Sequence, residues 1–162
     1  MSRPVEPGDR VGRLYDQFAP SLYRYALMIL ADHGAAADAV QQVFVGMLRA
    51  RSAIDSDERY LRRAVRNECY SALRRRRRKP EQSDAPLLEA VSPEADNPDD
   101  RVAVEQAMRA LTPEQRDLVH LKVYEGWTFQ EIADFYGESK NTIASRYRYA
   151  LERMRNKLSW TT

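Results

Sequence analysis

Apolar residues recur three and four positions apart along most of this chain, and nowhere do they alternate. Val11, Leu14, Tyr15, Phe18, Leu22, Tyr25, Ala26, Ile29 and Leu30 make a first long stripe, and Val40, Val43, Phe44, Met47 and Leu48 a second. Tyr60, Leu61, Ala64, Val65, Ala72 and Leu73 make a third, which runs into the six basic residues 74–79. This spacing matches one face of an α-helix, and a strand would alternate instead. The pattern predicts an all-α protein whose N-terminal part is a three-helix domain.

The last third carries the same period with sharper punctuation. Thr128 is placed to cap a short helix, and Glu131 three residues on completes a capping box. Phe129, Ile132, Ala133 and Tyr136 fall on one face, and Gly137 can close the helix in the left-handed conformation. A second, basic helix follows at once, with Ile143, Tyr147, Ala150, Leu151, Met154 and Leu158 as its apolar stripe. Its opposite face carries Asn141, Thr142, Ser145, Arg148, Tyr149 and Glu152, with Lys140 at the start and Arg146 on the flank. Two helices joined by a tight glycine turn are the geometry of a DNA-reading helix-turn-helix. Short polar groups near the second helix's start can bond base edges, while Lys and Arg neutralise phosphates. Sequence-directed DNA binding is therefore the first functional expectation. An ordinary helical hairpin with a solvated face is the plain alternative.

The chain of 162 residues has a net charge of only +2, but the charge is unevenly divided. Residues 1–79 hold 16 Lys/Arg against 9 Asp/Glu, residues 80–105 hold 1 against 8, and residues 106–162 hold 9 against 7. The acidic middle segment has four prolines and almost no apolar periodicity, which marks a linker. Two small helical domains, 1–79 and 106–162, are thus expected on either side of an acidic flexible linker at 80–105. The arginine run points to a polyanion-facing end of the first domain.

Several functional classes are disfavoured. His33 and His120 stand alone in separate domains, no His/Cys/Asp spacing resembles a metal site, and the six glycines are scattered. No enzyme activity, cofactor or metal is expected. Cys69 is the single cysteine, so a reducing cytoplasm is the natural compartment. Residues 1–8 contain no apolar signal segment, and nothing approaches a membrane-inserting run.

The order of parts resembles the two-domain extracytoplasmic-function branch of the bacterial RNA polymerase sigma factors, over roughly residues 14–158. Three segments carry the resemblance. Asp38-Ala39-Val40-Gln41-Gln42-Val43-Phe44 resembles the family's Asp-Leu-Val-Gln-Glu-Val-Phe of region 2. Tyr60-Leu61-Arg62-Arg63-Ala64-Val65-Arg66-Asn67 and the arginine run resemble its Trp-Leu-x-Arg-Ile-Ala-Arg-Asn segment. Leu111-Thr112-Pro113-Glu114-Gln115-Arg116, then Glu131-Ile132-Ala133 and Thr142-Ile143-Ala144-Ser145-Arg146, resemble region 4.

The resemblance implies a transcription initiation factor with core RNA polymerase and promoter DNA as partners, commonly restrained by an anti-sigma factor. It implies that the second helix docks on polymerase through Asp38, Val40, Gln41, Gln42, Phe44 and Met47. The third helix, with the loop 51–58, would open and read the −10 element through Tyr60, Arg62, Arg63, Arg66 and Asn67. Cations along the backbone and a platform for an unstacked base suit that task. The C-terminal helix-turn-helix would read the −35 element through Lys140, Asn141, Thr142, Ser145, Arg146 and Arg148. The linker would thread toward the active-site and RNA-exit channels. A stand-alone helix-turn-helix regulator is the alternative, and would bind duplex DNA without polymerase.

Two departures from the family pattern stand out. The polymerase-binding segment resembles Asp-Ala-Glu-Asp-Leu-Val-Gln-Glu in relatives, whereas residues 35–42 here are Ala-Ala-Ala-Asp-Ala-Val-Gln-Gln, with only Asp38 charged. Either apolar contacts from Val40, Val43, Phe44 and Met47 compensate, or docking depends on another component. Ala144 stands where many relatives carry a basic residue.

Overall fold

The computed structural model describes residues 6–50, 57–76 and 98–159. The chain divides into two units, Met1–Asp84 and Ala85–Thr162. Every regular element among the described residues is helical, as the periodicity predicts.

The first unit consists of α1 (Pro7–Leu30), α2 (His33–Ala50) and α3 (Glu58–Arg76), each packed against the other two. Residues 25–30 at the end of α1 are buried on all sides, so Leu27 and Met28 join the expected stripe of Tyr25, Ala26, Ile29 and Leu30. A helix that is apolar all round belongs inside a core. Tyr15, expected in the stripe, is instead half-exposed and meets Phe44 edge-on at 5.1 Å. The chain reverses between α1 and α2 in two residues. Ala31 takes the left-handed conformation (φ 52°) and its N–H donates to the Leu27 carbonyl, while Asp32 Oδ1 accepts from the Ala35 N–H at 3.0 Å and so caps α2. Asp57 caps α3 likewise, accepting from the Tyr60 N–H at 2.8 Å.

The second unit runs α4 (Pro98–Arg109), α5 (Pro113–Val119), a π-helical turn (His120–Tyr124), α6 (Phe129–Tyr136) and α7 (Lys140–Ser159). Residues 98–105, assigned by composition to the linker, form the first turns of α4. The reason is electrostatic: Asp99 and Asp100 sit in the first turn, where the unpaired N–H groups favour carboxylates, and Pro98 suits a helix start. Acids at a helix start and acids in a linker have the same composition. The rest of the expected linker, 80–97, lies outside the described residues, as do loop residues 51–56 and basic residues 77–79.

Thr112 opens α5 with a reciprocal capping box to Gln115, and the buried Arg116 donates to the Leu111 carbonyl at 2.7 Å, fixing the corner after α4. The π turn closes through Glu125 N–H to His120 carbonyl at 3.1 Å, and Gly126 follows at φ 70°. Helices α4, α5 and α6 all pack on α7. Ile143 and Ala150 are fully buried there, with Tyr147, Leu151, Met154 and Leu158 half-buried along the same stripe.

Candidate nucleic-acid interface

The α6–α7 pair is built as its punctuation predicts. Thr128 Oγ1 accepts from the Glu131 N–H at 3.1 Å, and Glu131 Oε1 accepts from the Thr128 N–H at 3.3 Å. Gly137 ends α6 at φ 70°, and both its N–H and that of Glu138 return to the Ala133 carbonyl. Ser139 then caps α7, accepting from the Thr142 N–H at 3.1 Å, with the two hydroxyls 2.7 Å apart. Thr142 is therefore engaged in the cap as well as standing at the rim of the polar face. The expected Phe129 and Tyr136 are only half-buried, whereas Phe135 enters the core against Trp127, ring centroids 5.2 Å apart.

On the side of α7 away from the core, Lys140, Asn141 and Arg148 are exposed and Ser145 is partly so. Arg146 is 54% exposed and lies 3.3 Å from Glu138. An ion pair this solvated contributes little, so its guanidinium can exchange the carboxylate for a phosphate at small cost. The face thus offers short hydrogen-bonding groups flanked by cations, which is what a major groove accepts.

On α3, Tyr60, Arg63 and Asn67 are exposed on successive turns, and Arg66 lies over the Tyr70 ring at 4.6 Å. Tyr60 is a surface residue rather than part of the core. Arg62 is not part of this face. It is 1% exposed, donates to Glu58 Oε1 at 2.8 Å and stands 5.2 Å from the centre of the Tyr25 ring. Its position explains this: Leu61, Val65 and Cys69 mark the core side of α3, and Arg62 falls beside them. Glu58 and the Tyr25 π-face supply the compensation that a buried guanidinium needs. The described part of the arginine run is also split. Arg74 and Arg75 are exposed, whereas Arg76 donates to the Leu30 carbonyl at 2.9 Å and pairs with Asp32 at 2.6 Å.

On α2 the expected polymerase-facing set separates in the same way. Val40, Phe44 and Met47 are buried, because positions 40, 43, 44 and 47 are the helix's own core stripe. They and Val43 pack within the unit, although Val40 also lines the groove between α1 and α2. Asp38, Gln41 and Gln42 are exposed, and so is Leu48 at 49%. A groove of about 400 Å³ runs between α1 and α2, lined among others by Tyr15, Ala19, Tyr23, Ala37 and Gln41.

The histidines serve packing: His33 Nδ1 bonds the Tyr23 hydroxyl, and buried His120 lies 3.2 Å from Glu125 Oε1. Next to it, partial burial pushes the Tyr124 phenol above its ordinary pKa. Among the described residues no group of His, Cys, Asp and Glu is arranged to hold a metal, and no helix is long and apolar enough to cross a membrane.

Comparison with known proteins agrees with this arrangement. The family model described as Sigma-70 region 2 matches residues 14–79, and that described as Sigma-70, region 4 matches residues 107–156. The chain is 28% identical over 152 residues to the ECF RNA polymerase sigma factor SigL of Mycobacterium tuberculosis, covering 88% of this chain and 85% of that one. It is 29% identical over 153 residues to SigK of Mycobacterium bovis, covering 88% and 82%. Its fold is similar to the sigma factor RpoE of Bartonella quintana, solved in complex with the anti-sigma factor NepR. The TM-score is 0.68 at 25% identity, covering 91% of this chain and 96% of that one.

Proposed function

Because the chain belongs to the extracytoplasmic-function sigma factors, and is therefore a transcription initiation factor that binds core RNA polymerase and promoter DNA, we propose that its two units divide promoter recognition between them. The first, residues 1–79, docks on polymerase and opens the −10 element. The second, which we place from α4 at residue 98 onward, reads the −35 element, and the acidic segment before it is the linker. The observation that carries this reading is that polar and cationic side chains are gathered on the outward side of α7 and, separately, of α3, while both helices pack their other sides.

For −35 reading the residues are Lys140, Asn141, Ser145, Arg146 and Arg148, with Thr142 contributing at the rim. For the −10 element they are Tyr60, Arg63, Arg66 and Asn67, an aromatic platform and a base-edge reader set among cations. Polymerase docking rests on Asp38, Gln41 and Gln42, with Leu48 and Tyr15 as the apolar component in place of the buried Val40, Phe44 and Met47. Members of this family act by binding rather than by catalysis, and we read this chain in the same way, working in the cytoplasm. An inhibitory protein of the anti-sigma kind is the third partner we assign.

The test uses holoenzyme reconstituted from core polymerase and the full chain, on a promoter identified by run-off sequencing of genomic DNA. Asn67→Ala holoenzyme should fail to open duplex promoter yet recover on a template whose −10 region is already unpaired. The Arg146→Ala, Arg148→Ala double variant should lose binding on both templates. Identical behaviour of the two variants on both templates would refute the division.

A further inference from the structure

Tyr149 is the most exposed of the large apolar side chains described, at 68%. It lies in the middle of α7, a helix whose other aromatic residue, Tyr147, is packed against Phe129 at 5.4 Å. Two residues along a helix turn a side chain by about 200°, so the two tyrosines point to opposite sides. Tyrosine is a mediocre helix former, and at this exposure it contributes nothing to the core. Single exposed apolar residues are common on protein surfaces. This one is set apart by where it stands.

Asn141, Ser145 and Tyr149 follow at intervals of four, which puts them on one ridge of the helix. The ridge spans about 12 Å, the rise of three to four base pairs. A recognition helix enters the major groove with its N-terminal residues nearest the base edges. Side chains further along must therefore be longer to reach the same depth, and along this ridge they lengthen from Asn and Ser to Tyr. Exposed Arg148 stands beside Tyr149 to hold phosphate. Such an aromatic ring has one base feature to recognise in the major groove, the 5-methyl group of thymine, which accepts apolar contact.

We propose that Tyr149 is a specificity-determining residue of the −35 interaction, whose ring packs on a thymine methyl two turns downstream of Asn141. This rests on the reading of α7 as the −35 reader. It adds a position at which recognition is apolar rather than hydrogen-bonded.

The test starts from a promoter pool randomised across the −35 element, from which wild-type, Tyr149→Phe and Tyr149→Ala holoenzymes each select. Wild type and Tyr149→Phe should enrich thymine at one position that Tyr149→Ala leaves unselected. Replacing that thymine by deoxyuridine removes only the methyl group. It should weaken wild-type and Tyr149→Phe binding by about fourfold, the value of one methyl withdrawn from water, and leave Tyr149→Ala binding unchanged. Tyr149 is exposed, so its replacement leaves the core intact, and matching melting curves for the three proteins check this. If Tyr149→Ala selects the wild-type motif with the same deoxyuridine penalty, the proposal is wrong while the assignment of α7 stands. If Tyr149→Phe behaves like Tyr149→Ala, the hydroxyl acts instead of the ring, and the methyl contact is again wrong. If wild type selects no −35 motif at all, the reading of α7 fails and takes the proposal with it.

Discussion

Arg76, the last residue of α3, pairs with Asp32 at 2.6 Å, and the same guanidinium donates to the Leu30 carbonyl at 2.9 Å. The other oxygen of Asp32 caps α2. One carboxylate and one guanidinium therefore fasten the end of α1, the start of α2 and the end of α3. Charge-assisted bonds in a part-buried site contribute about 1.5–3 kcal/mol together, and a lost N-cap costs about 1 kcal/mol more. Asp32→Asn, which keeps the cap, and Arg76→Ala should each lower the unfolding midpoint of the first unit in urea. Asp32→Ala should lower it further. Equal midpoints for Asp32→Asn and Asp32→Ala would show that the cap contributes nothing.

The neighbours Arg62 and Arg63 should separate stability from function. Arg62→Ala returns the half-exposed Glu58 to water but opens a cavity over Tyr25, and should cost about 2–5 kcal/mol of stability, as large-to-small core substitutions do. Arg63→Ala should leave the melting curve within about 0.5 kcal/mol of wild type and weaken promoter complexes instead. Thermal melts and promoter-binding titrations of the two variants check this. Equal loss of stability in both would contradict the burial described.

On α7, Arg146→Ala with Arg148→Ala should weaken holoenzyme binding to all promoter sequences alike. The slope of log affinity against log salt should become shallower by about 2 if each residue neutralises one phosphate. Ser145→Ala should change which −35 sequence is preferred and leave that slope in place. An unchanged slope in the double variant removes both arginines from the phosphate contacts.

Gly137 sits at φ 70° with open space where a Cβ would stand. The cost of Gly137→Ala is then one of backbone conformation alone, about 1–2 kcal/mol. Gly137→Asn should lose less, because asparagine tolerates this region better. Denaturant titration of the second unit ranks the three. Alanine as stable as glycine would mean that the turn relaxes to another conformation.

The acid-poor docking helix makes a kinetic prediction. Ala37 and Gln42 are exposed on α2. Ala37→Glu with Gln42→Glu should raise the rate of association with core polymerase at low salt and steepen its salt dependence, since exposed charges chiefly steer encounter. Stopped-flow mixing at several ionic strengths measures it. A wild-type salt dependence already as steep as the variant's argues against docking that is poor in charge.

The helical class and the capping of α6 were readable because they depend on neighbours three and four positions away in the chain. Thr128 and Glu131, Gly137, and the Ile143–Ala150 stripe are local signals of that sort. What was not readable depended on partners distant in sequence or on degenerate composition. Periodicity puts Arg62 at the edge of the core side of α3, but Tyr25, 37 positions away, must join the local Glu58 to make a charge tolerable there. Val40, Phe44 and Met47 had one apolar stripe to spend, and α1 and α3 claim it. Tyr149 was legible as a member of the polar face, yet no local rule says what an aromatic ring would do there. The beginning of α4 was hidden because Asp99 and Asp100 suit a helix start and a solvated tether equally well.

Helix α7 is at once the surface on which α4, α5 and α6 converge and the carrier of the outward ridge from Asn141 to Tyr149. Its inner residues are pinned by three neighbours, whereas Asn141, Arg148 and Tyr149 on its outer side are exposed. On the proposed reading of α7, promoter preference can drift at those outer positions without eroding the fold, and one scaffold would serve many regulons. For the engineer, if α7 reads the −35 element as proposed, the outer ridge is an interchangeable cassette: exchanging Asn141, Ser145 and Tyr149 as a set should retarget the factor and leave its foundations in place.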